Sequence, residues 1–416
     1  MGLGPSIKMT SLHHYDCPVT RRLIHDPEVN FVGIIENGVS ENFDAKVATA
    51  VGTGEMGAEH GLDGAIVAID GWGNHHIDFV NVIEQLGIHD IPSVGLSYIG
   101  LQGRLVATNP YVETIVDFNK ESSGYETCMV GQNNLTDFDA YKAIQILKTK
   151  VRKSFPFRNK EASLSGDDKL IGSLRREYVQ ITRAALGDKT EIKDGVLTLR
   201  KGIEKELCDA EPRIKEVHVQ FIAPEDDHRI WINSNLDFMP ITRKMKGKLG
   251  EGVSRQLEGV KVMLNGVEDV SGFQPANIGS SEGMLDERVE FNQAGTPLLS
   301  DYILHIDFLF EEGEGRTAEG ICAAHALADT IIEEIRAEMA DLPVSRSEDF
   351  VMTDRPSKMR IGLVKICSGL GNMYDTSVYP NQPAGYLGSY LTRDIDNKPI
   401  FMTANEVLDG AIHSLL

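Results

Sequence analysis

Residues 71–78, Gly-Trp-Gly-Asn-His-His-Ile-Asp, gather two glycines, an amide, two imidazoles and a carboxylate in one short stretch. They follow the apolar run Gly64–Ile69 and precede Ile77, Val80, Val82, Ile83 and Leu86, which recur at helical spacing. A turn between a buried strand and a helix is where open α/β sheets bind their ligands. Glycines let backbone approach a ligand, and a helix N-terminus favours an anionic group. Histidine supplies a proton near neutral pH. His75 and His76 are therefore candidates for a general acid, with Gly73, Asn74 and Asp78 beside them as substrate contacts. The same residues also fit an ordinary turn with an Asn or Asp cap and two exposed histidines.

Two further loops have related chemistry. Gly131-Gln-Asn-Asn134 follows Cys128-Met-Val130, and the amides of Gln132, Asn133 and Asn134 suit a carboxylate, or equally a turn and cap before Asp137. Gly369-Leu-Gly-Asn-Met-Tyr-Asp375 follows the apolar run Arg360–Cys367. Gly371 and Thr376 offer backbone and hydroxyl contacts there, and Asp375 is placed to counter a substrate ammonium, its catalytic contribution. All three loops follow buried strands, so they are expected to share a crevice at one sheet edge. Asp226-Asp227-His228 reads as an exposed turn, because consecutive residues do not easily point at one ion. Cys17 lies beside His13 and His14, but no orienting group is evident for a nucleophile there.

The elements that must position these loops form a pattern. Short runs, apolar on both faces (Asn30–Ile35, Gly64–Ile69, Ser93–Tyr98, Glu113–Phe118), suit strands of a covered parallel sheet. Helices are expected over Ile77–Leu86 and Asp137–Val151, and a third over Leu174–Leu186 inside a polar connector. Beyond residue 191 alternating runs dominate (Ile214–Ala223, Gly259–Asn265, Tyr302–Phe310), with a long helix over Arg316–Met339. The expected fold is α/β. It comprises a Rossmann-like, doubly wound parallel sheet over 1–155, a linker over 156–190, and a second α/β domain with a mixed, β-rich portion over 191–416.

Composition narrows the class. Among 416 residues, 41 Lys and Arg stand against 62 Asp and Glu, a formal net charge of −21 that disfavours nucleic-acid phosphate and anionic lipid. No apolar run is long enough for a transmembrane helix and no apolar leader is seen, so neither a membrane nor a secretory route is expected. The five cysteines lie far apart with no CxxC, which suits reduced thiols in a cytoplasmic protein and no metal.

The segments LDGAIVAIDGWGNHHID, VGQNNLTDFDA and TANEVLDGAIHS together resemble the proprotein family of D-proline reductase and the glycine/sarcosine/betaine reductase B component. GAEHGLDG and GWGNHHID stand nearer to the proline enzyme. The resemblance implies reductive cleavage of a carbon–nitrogen bond in a small amino-acid or betaine-like substrate, a selenoprotein or thiol redox subunit as partner, and a homo-oligomer. It also implies a pyruvoyl group made by self-cleavage at a cysteine. The family's two halves stand here in permuted order, and Gly2 falls at the cysteine position. Glycine has neither thiol nor β-carbon leaving group, so no pyruvoyl group and no other cofactor is expected. The alternative is a non-catalytic scaffold or regulatory paralogue of such a complex. An intact-mass spectrum is expected to show one uncleaved polypeptide that carbonyl-reactive probes do not label. A fragment pair would place the family's cleavage point elsewhere.

Overall fold

A computed structural model describes residues 9–40, 42–69, 71, 73–120, 129–132, 134–154, 167–226, 228–268, 282–367 and 398–412. Helices α1 (Ser11–Tyr15) and α2 (Pro18–His25) precede strand β1 (Val29–Gly38). Then come α3 (Phe43–Glu59), β2 (Gly64–Ile69), α4 (His75–Ile88), β3 (Ser93–Ser97), β4 (Ile115–Asp117) and α5 (Asp137–Ser154). The middle is strand-rich: β5 (Lys169–Gln180), β6 (Arg183–Gly187), β7 (Glu191–Lys193), β8 (Val196–Arg200), α6 (Ile203–Ala210), β9 (Ile214–Ile222), β10 (Trp231–Ile232), β11 (Asn235–Met239), β12 (Thr242–Lys246), β13 (Gly252–Glu258) and β14 (Val260–Glu268). The rest is β15 (Gly283–Met284), α7 (Leu285–Arg288), β16 (Tyr302–Phe310), α8 (Ala318–Ala337), β17 (Arg346–Asp354), β18 (Met359–Cys367), β19 (Ile400–Met402) and α9 (Ala404–Leu408).

The α/β class holds. The first sheet runs β19-β1-β18-β2-β3-β4, with all neighbours parallel except β19, which closes the β1 edge antiparallel. Successive strand residues point to opposite faces. Ile34, Ile66, Ala68, Val94 and Leu96 meet α2 and α5 through Val19, Leu23, Ala143 and Leu147. Ile35, Ala65, Val67 and Ile69 meet α3 and α4 through Ala50, Phe79, Ile83 and Leu86. Both faces are covered, which is why these strands read as unbroken apolar runs.

The division expected at 156–190 does not separate the strands of this sheet by sequence. β18 pairs with both β1 and β2, so a strand from the far end of the chain lies between two N-terminal ones. Residues 169–187, expected as linker, form β5 and β6, and the helix expected over Leu174–Leu186 is absent. β5 lies between β13 and β17, and Leu174, Arg176 and Tyr178 point inward on alternate positions. Its charges imitate a helix surface, but tertiary pairing overrides that local preference. A mixed sheet, β11-β14-β16-β9, packs against α8 through Val262, Leu264, Leu304 and Ile306 on one side and Ile321, Ala324 and Ile331 on the other.

Arg176 joins the parts. Its side chain is 1% exposed. One Nη donates to Asp16 at 2.9 Å; the other donates to the Tyr15 carbonyl at 3.2 Å and to the Leu408 carbonyl. The guanidinium also stacks over the Tyr15 ring, 3.8 Å from its centroid. Burial pushes the Asp16 carboxyl up, but Arg176 and Arg21 outweigh it and hold the carboxyl below its ordinary range. Replacing Arg176 by Met would leave two carbonyls without their donor and the Asp16 carboxylate with Arg21 alone. It is expected to lower the unfolding free energy by about 3 kcal/mol, with an unchanged denaturant slope.

Candidate functional site

The carboxyl ends of the parallel strands are the edge where ligands bind in such sheets. Buried polar groups collect there on both faces.

On the α3/α4 face, α4 begins directly at this edge. Gly73 takes a φ of +65°, and Asn74 occupies the N-cap position without a side-chain cap bond. His75 and His76 are 2% and 0% exposed, not the solvated pair that an ordinary turn would give. Each ring lies against a glycine: a Cβ at Gly71 would fall 2.1 Å from His75 Nδ1, and one at Gly103 2.3 Å from His76 Cε1. Asp78 forms a buried ion pair with Lys46 of α3, Nζ to Oδ2 at 2.5 Å. Burial holds both imidazoles neutral, His75 at about 3 with Lys46 adding to the effect, and His76 at about 4. Burial pushes the Asp78 carboxyl up to about 6 although Lys46 pulls it down. Of these groups, Asp78 is the one that changes charge near neutral pH.

On the opposite face, β18 ends in Lys365 and Cys367, and β1 in Glu36. All three are buried and in line with the core residues Leu363 and Ile34. Glu36 pairs with Lys365 in the register of β1 and β18. His14 of α1 joins the ends: its Nδ1 lies 3.0 Å from Lys365 Nζ and its Nε2 4.0 Å from Cys367 Sγ. Helix α1 is pinned in place, because Ser11 donates to the buried Asp237 from its backbone N (2.8 Å) and its hydroxyl (2.5 Å). Burial raises that carboxyl well above its usual range despite those bonds. Burial, then Lys365, lowers His13 to about 3. Cys17 sits at the N-cap of α2. Burial pushes its thiol up, but the Lys365 charge and hydrogen bonds at Thr20 and Val19 bring it below the ordinary value. Lys365 is thus the orienting charge that the sequence did not reveal for Cys17.

Of the amide loop, Asn134 is buried and packs with this second group. A Cβ at Gly295 would fall 2.6 Å from Asn134 Nδ2, 2.9 Å from Thr10 Oγ1 and 3.0 Å from His13 Cβ. Gln132 is half-buried beside it in sequence. The structure therefore gives two groups: Asp78, Lys46, His75 and His76 on one face, and His13, His14, Lys365, Cys367 and Asn134 on the other. Asn133, Gly371, Asp375, Thr376 and Gly2 lie outside the described residues. Sequence reasoning missed Lys46, Glu36, Asp237 and Lys365. A lone lysine inside the apolar run Arg360–Cys367 was the signal for the last.

Among the described residues no group of three or more His, Cys, Asp or Glu side chains is arranged to hold a metal ion, and no helix is long and apolar enough to cross a membrane. A cavity of about 400 Å³ opens at the other end of the sheet, near Pro92 and Ser93 at the start of β3, away from both groups.

Fold and edge together describe an α/β protein with acid–base and thiol groups buried at the ligand edge of a parallel sheet. Residues 3–121, which carry β1 to β4 and both histidine pairs, match the family of glycine/sarcosine/betaine reductase component B subunits. It is similar to the D-proline reductase proprotein PrdA of Acetoanaerobium sticklandii, 29% identical over 255 residues, 60% of this chain and 40% of that protein. It is also similar to the betaine reductase complex component B subunit alpha of Peptoclostridium acidaminophilum, 26% identical over 125 residues, 30% of this chain and 27% of that protein. The chain thus matches less than half the length of either relative. No solved structure matches.

The charge states are testable. The Asp78 carboxyl ¹³C shift is expected to titrate with a midpoint near 6 and to move upward in Lys46→Met. His75 and His76 are expected to stay neutral from about pH 8 to about pH 5.5. The folded chain holds the Asp78 proton more tightly than the unfolded chain does. This group's contribution to stability is therefore full below about pH 4 and falls as pH rises through about 6.

Proposed function

We propose that the chain is a subunit of a reductase complex that cleaves a carbon–nitrogen bond in a small amino-acid-like compound of the D-proline, glycine or betaine type. The compound binds at the carboxyl edge of the first sheet. What supports this reading is the gathering of Lys365, His14 and Cys367 on one face of that edge and Asp78, Lys46 and His75 on the other, in a chain whose residues 3–121 match the reductase family.

Reductive cleavage puts two electrons and two protons into the substrate, and the departing amine takes one of the protons. Asp78, titrating near neutral pH, holds a proton at the edge, and the neutral His75 or His76 passes one on. Asn74, Gln132, Asn133 and Asn134 orient the substrate carboxylate, with Gly73 giving room, while Gly371, Asp375 and Thr376 complete the ammonium side. The electrons come from a partner, a thiol or selenol subunit that ends as the oxidised pair. Gly2 does not fit the pyruvoyl chemistry of the family, so no step runs through that group. Work at this edge takes place in the cytoplasm in a homo-oligomer.

Gly2 also favours a second reading, a non-catalytic scaffold in the same complex. The full chain with a dithiol subunit and D-proline separates the two. Asp78→Asn and Lys365→Met are each expected to lower turnover about 100-fold while the fold is kept. Turnover unchanged in both variants would remove the proposed edge. D-proline bound without any turnover would favour the scaffold.

A further inference from the structure

A recess of about 250 Å³ lies between α1 and the sheet formed by β12, β13, β5 and β17, and none of the edge groups named above lines it. Its walls carry three carboxylates, Asp16, Glu258 and Asp301, and three cations, Arg21, Lys261 and Arg346. Arg21 is paired with Asp16 at 3.1 Å, and Arg346 with Glu258. The lining is therefore neutral in sum, and it disfavours a ligand with net charge.

Two groups in it are left incomplete. Gln256 of β13 is 4% exposed, and among the described residues its Oε1 has no hydrogen-bond partner. A buried acceptor left unpaired is costly, and a site that supplies its donor regains that cost. Lys261 of β14 has a side chain only 12% exposed, yet its nearest carboxylate, on Asp301, is 3.6 Å away, beyond hydrogen-bonding distance. Among the described residues its one hydrogen bond reaches the Val260 carbonyl at 3.3 Å. The recess thus offers an acceptor wanting an N–H and a cation wanting an oxygen, with Leu12 and Leu298 as apolar wall.

We infer that this recess binds a small zwitterionic amino acid, with its carboxylate on Lys261, an ammonium N–H donated to Gln256 Oε1 and its side chain against Leu12 and Leu298. The site is separate from the sheet edge, and it touches the back of α1, the helix that carries His14. A quaternary ammonium has no N–H to donate, so a betaine is rejected here.

Calorimetric titration of the full chain with D-proline, L-proline and glycine betaine tests this. A proline component is expected that survives Asp78→Asn, weakens at least tenfold in Gln256→Leu, and is absent from the betaine titration. Ala294→Phe, at a half-buried loop position lining the recess, fills it without touching the core and is expected to give the same loss if Gln256→Leu impairs folding. Proline binding unchanged in both recess variants, or betaine binding as tightly as proline to the component they remove, overturns the inference. Proline binding lost only in Asp78→Asn does so too while leaving the edge reading intact; binding lost only in the recess variants does the reverse.

Discussion

Arg176 is the interaction on which the arrangement rests. Taking a guanidinium out of water costs several kcal/mol unless its donors are met. The partners that meet it come from separate parts of the chain: the end of α1, Asp16 behind it, and the last carbonyl of α9. β5 brings the cation, so a strand of the second sheet fixes where the N-terminal helix and the C-terminal helix meet. His14 reaches Lys365 because α1 is held there. A hydrophobic residue at position 176 would fill the same volume but would not choose one placement of α1 over another.

The two faces of the sheet edge use burial in opposite ways. Around α4, burial strips charge from the imidazoles, and only the Lys46–Asp78 pair keeps strong polarity. Around β18, burial holds His13 neutral and one lysine ammonium adds to that effect, while the same charge offsets the burial of the Cys17 thiol. A cation in the centre of a sheet is tolerable here because Glu36 stands in the adjacent register position and His14 shares its hydrogen bonding. The recess behind α1 works on a third pattern, alternating opposite charges so that no field of one sign builds up.

Much of the first sheet was legible. β1, β2, β3 and β18 are short, β-branched and apolar because both faces are covered, and α4 and α5 show their buried stripe. Helix α3 was hidden, since its interior holds Thr49, Thr53 and several small residues that pack closely against α4. β5 was misread because Arg175, Arg176 and Glu177 look like a solvated helix face until Asp16 and Leu408 are known to be near. The turn at 71–78 could be found from local spacing. Lys46, Asp237 and Lys365 could not be assigned partners, because what makes a buried charge stable is contributed from far along the chain.

The place of β18 between β1 and β2 also sets an order of events. Lys365 and His14 are 351 positions apart, and every backbone bond between β1 and its inner neighbour waits for the last part of the chain. Until then β1 and β2 face each other across a missing strand, with apolar faces and two unpaired edges open to solvent. Such edges recruit other chains when they are left uncovered. Loops closed over this distance also form late, because their entropy must be lost before any contact rewards it. On the ribosome, then, the N-terminal segment cannot mature on its own, and its protection during synthesis falls to chaperones or to the helices α2 to α5 already docked on the incomplete sheet.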